Sequence, residues 1–306
     1  MELLMIFINI IVPIFVIVAI GALMHRTFHL DLNTLAKLNI YYLVPGLIFV
    51  RLYETEFTWQ LFLDVFLFFI FLTVFLYFVS SFFSRLFHFN KSMRISFSHS
   101  ALFYNSGNYG VPVNDLVFRQ DPYAMSIQVI VLTFQNLLVY SYGVFTLQAA
   151  SLGKLKAFIT YLKLPITYAM LTAIILNVFN IKLPSFLYTP TSYIADALIG
   201  IALLTLGAQV VQLKFSKNLF TVYLSVFVRL ILSPALAYVA ILILQVDGVA
   251  AQAMFISSAM PSSVNSAIIA QEYKNEPEFA AQTVLASTVF SMVTVTVVIY
   301  LSKVLF

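Results

Sequence analysis

Apolar residues run along this chain in blocks separated by short polar punctuation, and the blocks themselves are the primary signal. They fall near residues 3–24, 35–53, 59–87, 95–118, 123–149, 157–179, 191–213, 218–245, 249–271 and 279–304. Each is about 20 residues or more, enough to cross a hydrocarbon core of ~30 Å, so the pattern predicts ten transmembrane helices. The 59–87 and 218–245 blocks are long, which predicts tilt or extension into the interface. The first block, Leu3–Met24, is long enough to span and lacks a basic leader, so it reads as a transmembrane helix, not a cleaved signal.

One block carries a contradiction. Phe103–Val113 reads Phe-Tyr-Asn-Ser-Gly-Asn-Tyr-Gly-Val-Pro-Val and is the poorest helix in the chain. Gly107 and Gly110 lower helix propensity, and Pro112 removes a backbone donor. Asn105, Ser106 and Asn108 put polar groups where lipid rejects them. A broken helix at membrane depth is tolerated only where it is buried in protein or lines a cavity, so this stretch is the first candidate for a binding site.

Charge supplies orientation. Loops after odd-numbered spans hold Arg26, Lys37, Arg85, Lys91, Arg94, Lys154, Lys156, Lys163, Lys214, Lys217 and Lys274, whereas even-numbered loops and the C-terminal end hold Arg51, Arg119, Lys182 and Lys303. The odd loops are therefore expected in the cytoplasm and both termini outside it, in a plasma or inner membrane. Residues 1–150 and 151–306 each supply five spans, and an odd number per half requires the halves to be inverted relative to each other.

The fourth and ninth spans match across that inversion. Span four is expected to break at Gly107–Pro112, and span nine at Ala259-Met260-Pro261-Ser262-Ser263-Val264-Asn265. Asp121-Pro122 and Glu276-Pro277 follow the two breaks, each suiting the first turn of the next helix. Paired interrupted helices in two inverted halves point to a transporter's midplane site. Asn105 and Asn108 share a helical face, as do Ser258, Ser262 and Asn265. The plainer alternative is that small and polar residues only let helices approach closely. Two half-helices meeting at a break would aim N-terminal amides inward, and Asn105, Asn108 and Asn265 add neutral donors, so an anion could be held there. No acidic residue sits inside either break, which argues against a carboxylate cage for sodium. Outside the breaks, Gln135 and Asn136 lie mid-span, one expected toward the site and one toward a neighbour. Asp196 reads as near the interface, and Arg229 as either an attractor of anions or a structural cation.

Composition narrows the classes. The chain of 306 residues is 62% hydrophobic and 9% charged, the balance of an integral membrane protein with little outside the bilayer. A net charge of +4 follows from the loop bias and implies no nucleic-acid partner. Without cysteine there are no disulfides and no thiol chemistry. Phosphate loops, dinucleotide fingerprints and His-Glu-x-x-His are missing, and His25, His29, His88 and His99 lack metal spacing, so no metal, cofactor or catalytic residue is expected. The histidines read as solvated or interfacial.

The chain resembles the auxin efflux carrier family, which includes plant PIN auxin exporters and bacterial malate and malonate permeases. The residues that carry this are Asn105-Ser-Gly-Asn-Tyr-Gly-Val-Pro112, Ala259-Met-Pro261 with Ala270-Gln-Glu-Tyr273, Leu43-Val-Pro45-Gly-Leu-Ile and Leu204-Thr-Leu-Gly207. The short 150–157 loop is similar to the bacterial members. The resemblance implies an all-α, ten-helix inverted-repeat fold like that of sodium/proton antiporters and bile-acid symporters. It implies that helices 1, 2, 6 and 7 form a scaffold, often a homodimer interface, and that helices 3–5 and 8–10 form a transport domain. Spans four and nine would cross at Pro112 and Pro261, with Gly107 and Gly110 beside them. Substrate contacts would fall on Asn105, Ser106, Asn108, Tyr109, Gln135, Ser262, Ser263 and Asn265. Leu164-Pro165, where the family often has Asn-Pro, and the lack of a proline near Gly200 are departures on the scaffold side. The function implied is a carrier for a small organic anion, a mono- or dicarboxylate such as malate, malonate or an auxin-like acid, working by elevator-like alternating access. The competing readings are a sodium- or proton-coupled anion symporter, with Asp196 or Asp115 as coupling candidates, and an intramembrane sensor or enzyme.

Overall fold

A computed structural model describes residues 1–55, 58–119, 121–148, 165–211 and 219–306. Lys154, Lys156, Lys163, Leu164, Lys214 and Lys217, and residues 157–164 of the expected sixth span, lie outside the described residues. The described residues are helical apart from an isolated bridge between two extended segments. Seven helices are long and apolar enough to cross a membrane: α1 Glu2–Phe28, α2 Leu32–Glu54, α3 Trp59–Leu86, α6 Pro122–Leu147, α8 Ser185–Val211, α9 Leu219–Leu244 and α12 Pro277–Leu305. Two interrupted segments lie among them, α4 Lys91–Leu102 with α5 Val111–Phe118, and α10 Gly248–Ser258 with α11 Val264–Glu272. Helix α7 is described over Pro165–Val178.

The helices start and stop where side chains satisfy their terminal amides. Asp31, Thr58, Asn90, Asp121 and Ser263 each accept a hydrogen bond from a backbone N–H two or three residues on. Left-handed residues at His29, Arg119 and Gln245 end α1, α5 and α9. Helix α8 begins at Ser185, earlier than the sequence suggested, and runs through Pro190. Pro190 is the sixth residue of this helix, past the first-turn amides, so the helix runs on with one N–H donor missing.

Helix α3 shows what solvent these helices are built for. Its inner face, Leu61, Val65, Phe68, Leu72, Leu76, Ser80 and Ser84, repeats every three to four residues and becomes small and polar toward the C-terminal end. Its outer face carries Phe66, Leu67, Ile70, Val74, Phe75 and Phe78, all exposed and as apolar as the inside. A helix hydrophobic all round belongs in lipid. The chain is a multi-pass membrane protein.

Five single-turn π-helices interrupt the described helices, at Phe7–Ile11, Asn39–Leu43, Ser106–Gly110, Val139–Gly143 and Val228–Leu232. Four of them are followed two residues later by a proline: Pro13, Pro45, Pro112 and Pro234. Proline cannot donate, and its ring collides with the carbonyl four residues back. A widened turn just ahead draws that carbonyl aside, and the N–H groups of Val12, Val44 and Ser233 reach back five residues to Phe7, Asn39 and Val228. Prolines inside these spans bend the helix without ending it.

Packing divides the helices into two groups. Helix α8 lies against α1 and α2, and α7 lies against α2. Helices α3, α4, α6, α9, α10, α11 and α12 pack mainly on one another. Within the first group the backbones nearly touch. A Cβ built on Gly207 would come 1.9 Å from Val18 O, and one on Gly21 would come 2.2 Å from Leu204 O. On α2, a Cβ on Gly46 would meet Ile194 Cγ2 at 2.5 Å. Small residues are what allow helices to associate where lipid competes equally for apolar side chains. Substituting Gly207→Ala must push α1 and α8 apart and is expected to cost ~1–3 kcal/mol. Gly200→Ala, on the same helix with no neighbour within 4 Å, should leave the thermal midpoint in detergent where it is or raise it slightly.

Candidate functional site

The two interrupted segments meet backbone to backbone. Tyr104 and Ser262 form an antiparallel bridge. The Asn105 amide donates to Pro261 O at 2.8 Å, and the Ser263 amide donates to Phe103 O at 2.8 Å. The extended residues between α4 and the π turn are thus Phe103–Asn105, several residues before the Gly107–Pro112 break expected from sequence. Gly107 and Gly110 are helical, and Pro112 sits in the first turn of α5. Proline and glycine marked the right half-helix but not its edge. The Gly110 amide donates to Asn105 O at 2.9 Å, a five-residue reach that accommodates Pro112.

Interrupting two helices strands carbonyls that must find donors inside the protein. Several at the crossing are served by side chains. Ser262 Oγ donates to Ser100 O at 2.8 Å, Arg229 Nη1 to Ala101 O at 2.8 Å, and Gln135 Nε2 to Leu102 O at 3.1 Å. Ser258 O accepts from Arg229 Nη2 and from Ser233 Oγ. Ser106 O accepts from Gln128 Nε2 at 2.7 Å, and the Ser262 amide donates to Ser287 Oγ at 3.1 Å. Arg229 is fully buried, bonds to carbonyls in the last turns of both α4 and α10, and lies 4.7 Å from the centre of the Tyr104 ring.

Beside the crossing is a cavity of about 70 Å³. Seven amide side chains line it: Asn39, Asn105, Asn108, Gln135, Asn136, Gln209 and Asn265. Ser106, Gly107, Ser263 and Tyr104 complete the polar wall, and Val44, Leu132, Val139, Ile166 and Val264 the apolar one. Among the described residues, no carboxylate and no cationic side chain lines it. Asn105 Nδ2, Asn39 Oδ1, Gln135 Oε1 and Gln209 Oε1 are buried without a partner. Unpartnered buried polar atoms are costly and ask for an explanation, and four around one cavity make it a candidate site for a polar ligand or ordered water. Helix first turns open onto it at Ser106–Asn108 and at Val264–Asn265, where backbone amides carry partial positive charge.

The sequence-predicted residues divide cleanly. Asn105, Ser106, Gly107, Asn108, Gln135, Ser263 and Asn265 line the cavity, and so do both Gln135 and Asn136 of the adjacent pair. Tyr109 and Ser262 do not. The Tyr109 hydroxyl meets Ser291 Oγ at 3.0 Å and its ring packs edge-on against Phe15, while Ser262 is spent on Ser100 and Ser287. Gly110 backs onto Gln128: a Cβ there would come 2.5 Å from Gln128 Nε2. Gln128, Asn39 and Gln209 escaped the sequence reading. Gln128 is seven residues before Gln135 on the same face, a readable signal. Asn39 and Gln209 come from distant helices, and no local pattern links them. His99 corrects another expectation: it is buried against Phe103 and Tyr142, with Nε2 2.7 Å from Thr146 Oγ1. It sits deep enough in its span for neighbours to enclose it.

The cavity leads in one direction. A larger space of about 320 Å³ shares Ala36, Gln209 and Val264 with it, and reaches Leu32, Asn33, Gln271 and Pro277 at the end of the bundle. At the opposite end the two helix groups are tied together. The Thr55 and Ser126 hydroxyls contact each other, and Thr55 Oγ1 donates to Pro122 O at 3.0 Å. Ser126 Oγ donates to Arg51 O at 3.1 Å. The first group is also held to itself at this end, where Asn177 Nδ2 donates to Tyr53 O at 2.9 Å. Arg51 pairs with Glu54 at 3.1 Å and with Asp196 at 3.9 Å, and Tyr188 donates to Glu54.

Comparison with known proteins points to membrane transport. Residues 152–299 match a family model described as "Membrane transport protein". The chain is 24% identical over 136 residues to an uncharacterized transporter of Methanocaldococcus jannaschii, an alignment that covers 44% of this chain and 44% of that relative. Both matches are to membrane transport proteins, and they point to a transporter, not an enzyme.

Proposed function

We propose that this protein is a secondary carrier of the auxin efflux type, moving a small organic anion such as a mono- or dicarboxylate across the cell membrane. The observation that carries the reading is the amide-lined cavity at the crossing. It offers neutral donors and two helix first turns, with no carboxylate to repel an anion. Ten spans in two inverted five-helix halves, 1–150 and 151–306, would put the crossing near the bilayer midplane. The packing supports a division of labour, with α1, α2, α7 and α8 as a scaffold that can dimerise and the remaining helices as the moving body. By the loop charges, the open end with Leu32, Gln271 and Pro277 is cytoplasmic and the Thr55–Ser126 end is external, which makes this an inward-open state. An inside-negative potential favours anion export by ~2.3 kcal/mol per charge per 100 mV, so efflux needs no coupled ion. Cation coupling has one observation behind it, the buried and unpartnered Oδ1 of Asp115 toward the closed end; it predicts uptake that depends on sodium or pH.

A proteoliposome flux panel of malate, malonate, pyruvate and indole-acetate, with and without sodium and proton gradients, decides among these readings. Flux of none of the anions would remove the proposal. Asn105→Ala is expected to weaken binding of the transported anion by about tenfold, the value of one hydrogen bond to a charged group, in a substrate thermal-shift titration. Unchanged affinity would take Asn105 out of contact with the substrate. The gate is tested by a cysteine pair. Because the chain has no cysteine of its own, Thr55→Cys with Ser126→Cys should cross-link on oxidation, stop flux, and recover it on reduction. Free flux through the oxidised pair would show that the two helix groups need not separate there.

A further inference from the structure

We propose that Arg229 is the cavity's tethered counter-ion: a fixed cation, held behind the crossing, that gives the amide-lined site its preference for anions and stands in for a free coupling cation. The inference rests on the anion-carrier reading above and adds the residue that sets its charge selectivity.

Three observations converge on it. First, Arg229 is 0% exposed and has no carboxylate partner; among the described residues the ion pairs are Arg51 with Glu54 and with Asp196. A buried arginine normally needs an acidic mate, and this one leaves a net positive charge inside the protein. Second, its ligands are Ala101 O, Ser258 O and Ser233 Oγ. The two carbonyls end α4 and α10, the negative poles of both half-helices. A cluster of carbonyl and hydroxyl oxygens is what a free alkali cation would seek, and here the guanidinium occupies it. Third, the guanidinium lies 4.7 Å from the Tyr104 ring, and Tyr104 lines the cavity. One aromatic ring therefore separates the buried charge from the place where a carboxylate would bind.

The magnitude is sufficient to matter. Two unit charges roughly 8 Å apart, at an effective dielectric of about 20, attract strongly enough for on the order of thirtyfold in affinity. Hydrogen bonds from the seven amides are stronger to a carboxylate than to a neutral amide but can satisfy both, so they orient a ligand and choose its charge only in part. Arginine keeps its proton at any pH a cell meets, so the selectivity is permanent. Arg229 acts through space and through Tyr104, which makes it a positioning charge and not a contact.

The test uses the purified full chain, with malate, malonate, pyruvate and indole-acetate as anionic probes and malonamide as the neutral one. Wild type is expected to favour at least one anion over malonamide, without sodium. Arg229→Gln is expected to weaken that anion on the order of thirtyfold while moving malonamide less than about twofold, and Arg229→Lys to recover most of the loss. Equal losses for anion and malonamide would make the residue merely structural and overturn the inference. Unchanged anion affinity in Arg229→Gln would overturn it and leave the carrier reading standing. If wild type favours no anion, the carrier reading fails and this inference with it. Should Arg229→Gln not fold, Arg229→Ala is purified with guanidinium added at millimolar concentration to refill the oxygen cluster. Guanidinium should then raise the thermal midpoint of the variant and restore anion binding; failure of either result would sink the proposal.

Discussion

The structure depends on one demand: a helix broken inside a bilayer must have every stranded backbone group satisfied by protein. Here the demand falls on two helices at once, and each helps to satisfy the other. The Asn105 and Ser263 amides cross between the segments to Pro261 O and Phe103 O. Other carbonyls are served by side chains from two further helices, Arg229 and Ser233 on α9 and Gln128 and Gln135 on α6, and Ser287 on α12 accepts from the Ser262 amide. Unpartnered amide atoms of Asn39, Asn105, Gln135 and Gln209 gather at the adjoining cavity.

Proline is handled by a second device. A π turn ahead of Pro13, Pro45, Pro112 and Pro234 lets four helices keep going where proline would otherwise end them. Two of these turns, Asn39–Leu43 and Ser106–Gly110, contribute residues to the cavity wall. The irregular backbone is concentrated where the ligand would sit.

Much of this was legible in the sequence. Blocks of apolar residues gave the membrane helices, because lipid imposes length and hydrophobicity on each span independently of its neighbours. The poor helix propensity of Phe103–Val113 and its match at Met260–Asn265 located the crossing, because a break is a local event with local causes. Its edge was misplaced, since Gly107, Gly110 and Pro112 can all be absorbed by a π turn that no composition reports. Ser262 and Tyr109 were chemically suitable but are turned to other partners, and Asn39 and Gln209 reach the cavity from α2 and α8. Which face of a helix meets which neighbour is a tertiary fact, written in contacts such as Gly207 against Val18 and not in either helix alone.

The cavity wall is shared between the two packing groups, and that has a consequence for any sliding motion. Asn105, Asn108, Gln135, Asn136 and Asn265 belong to the group that holds the crossing, whereas Asn39 and Gln209 belong to the other. A ligand seated among all seven touches a seam. In the proposed carrier, displacing one body along the other would carry five amides with the ligand and leave two behind, so the passenger's coordination shell would change identity during the journey. Loading and unloading would then be written into the same surface: the seam that completes the ligand's shell at one position would strip it at the next.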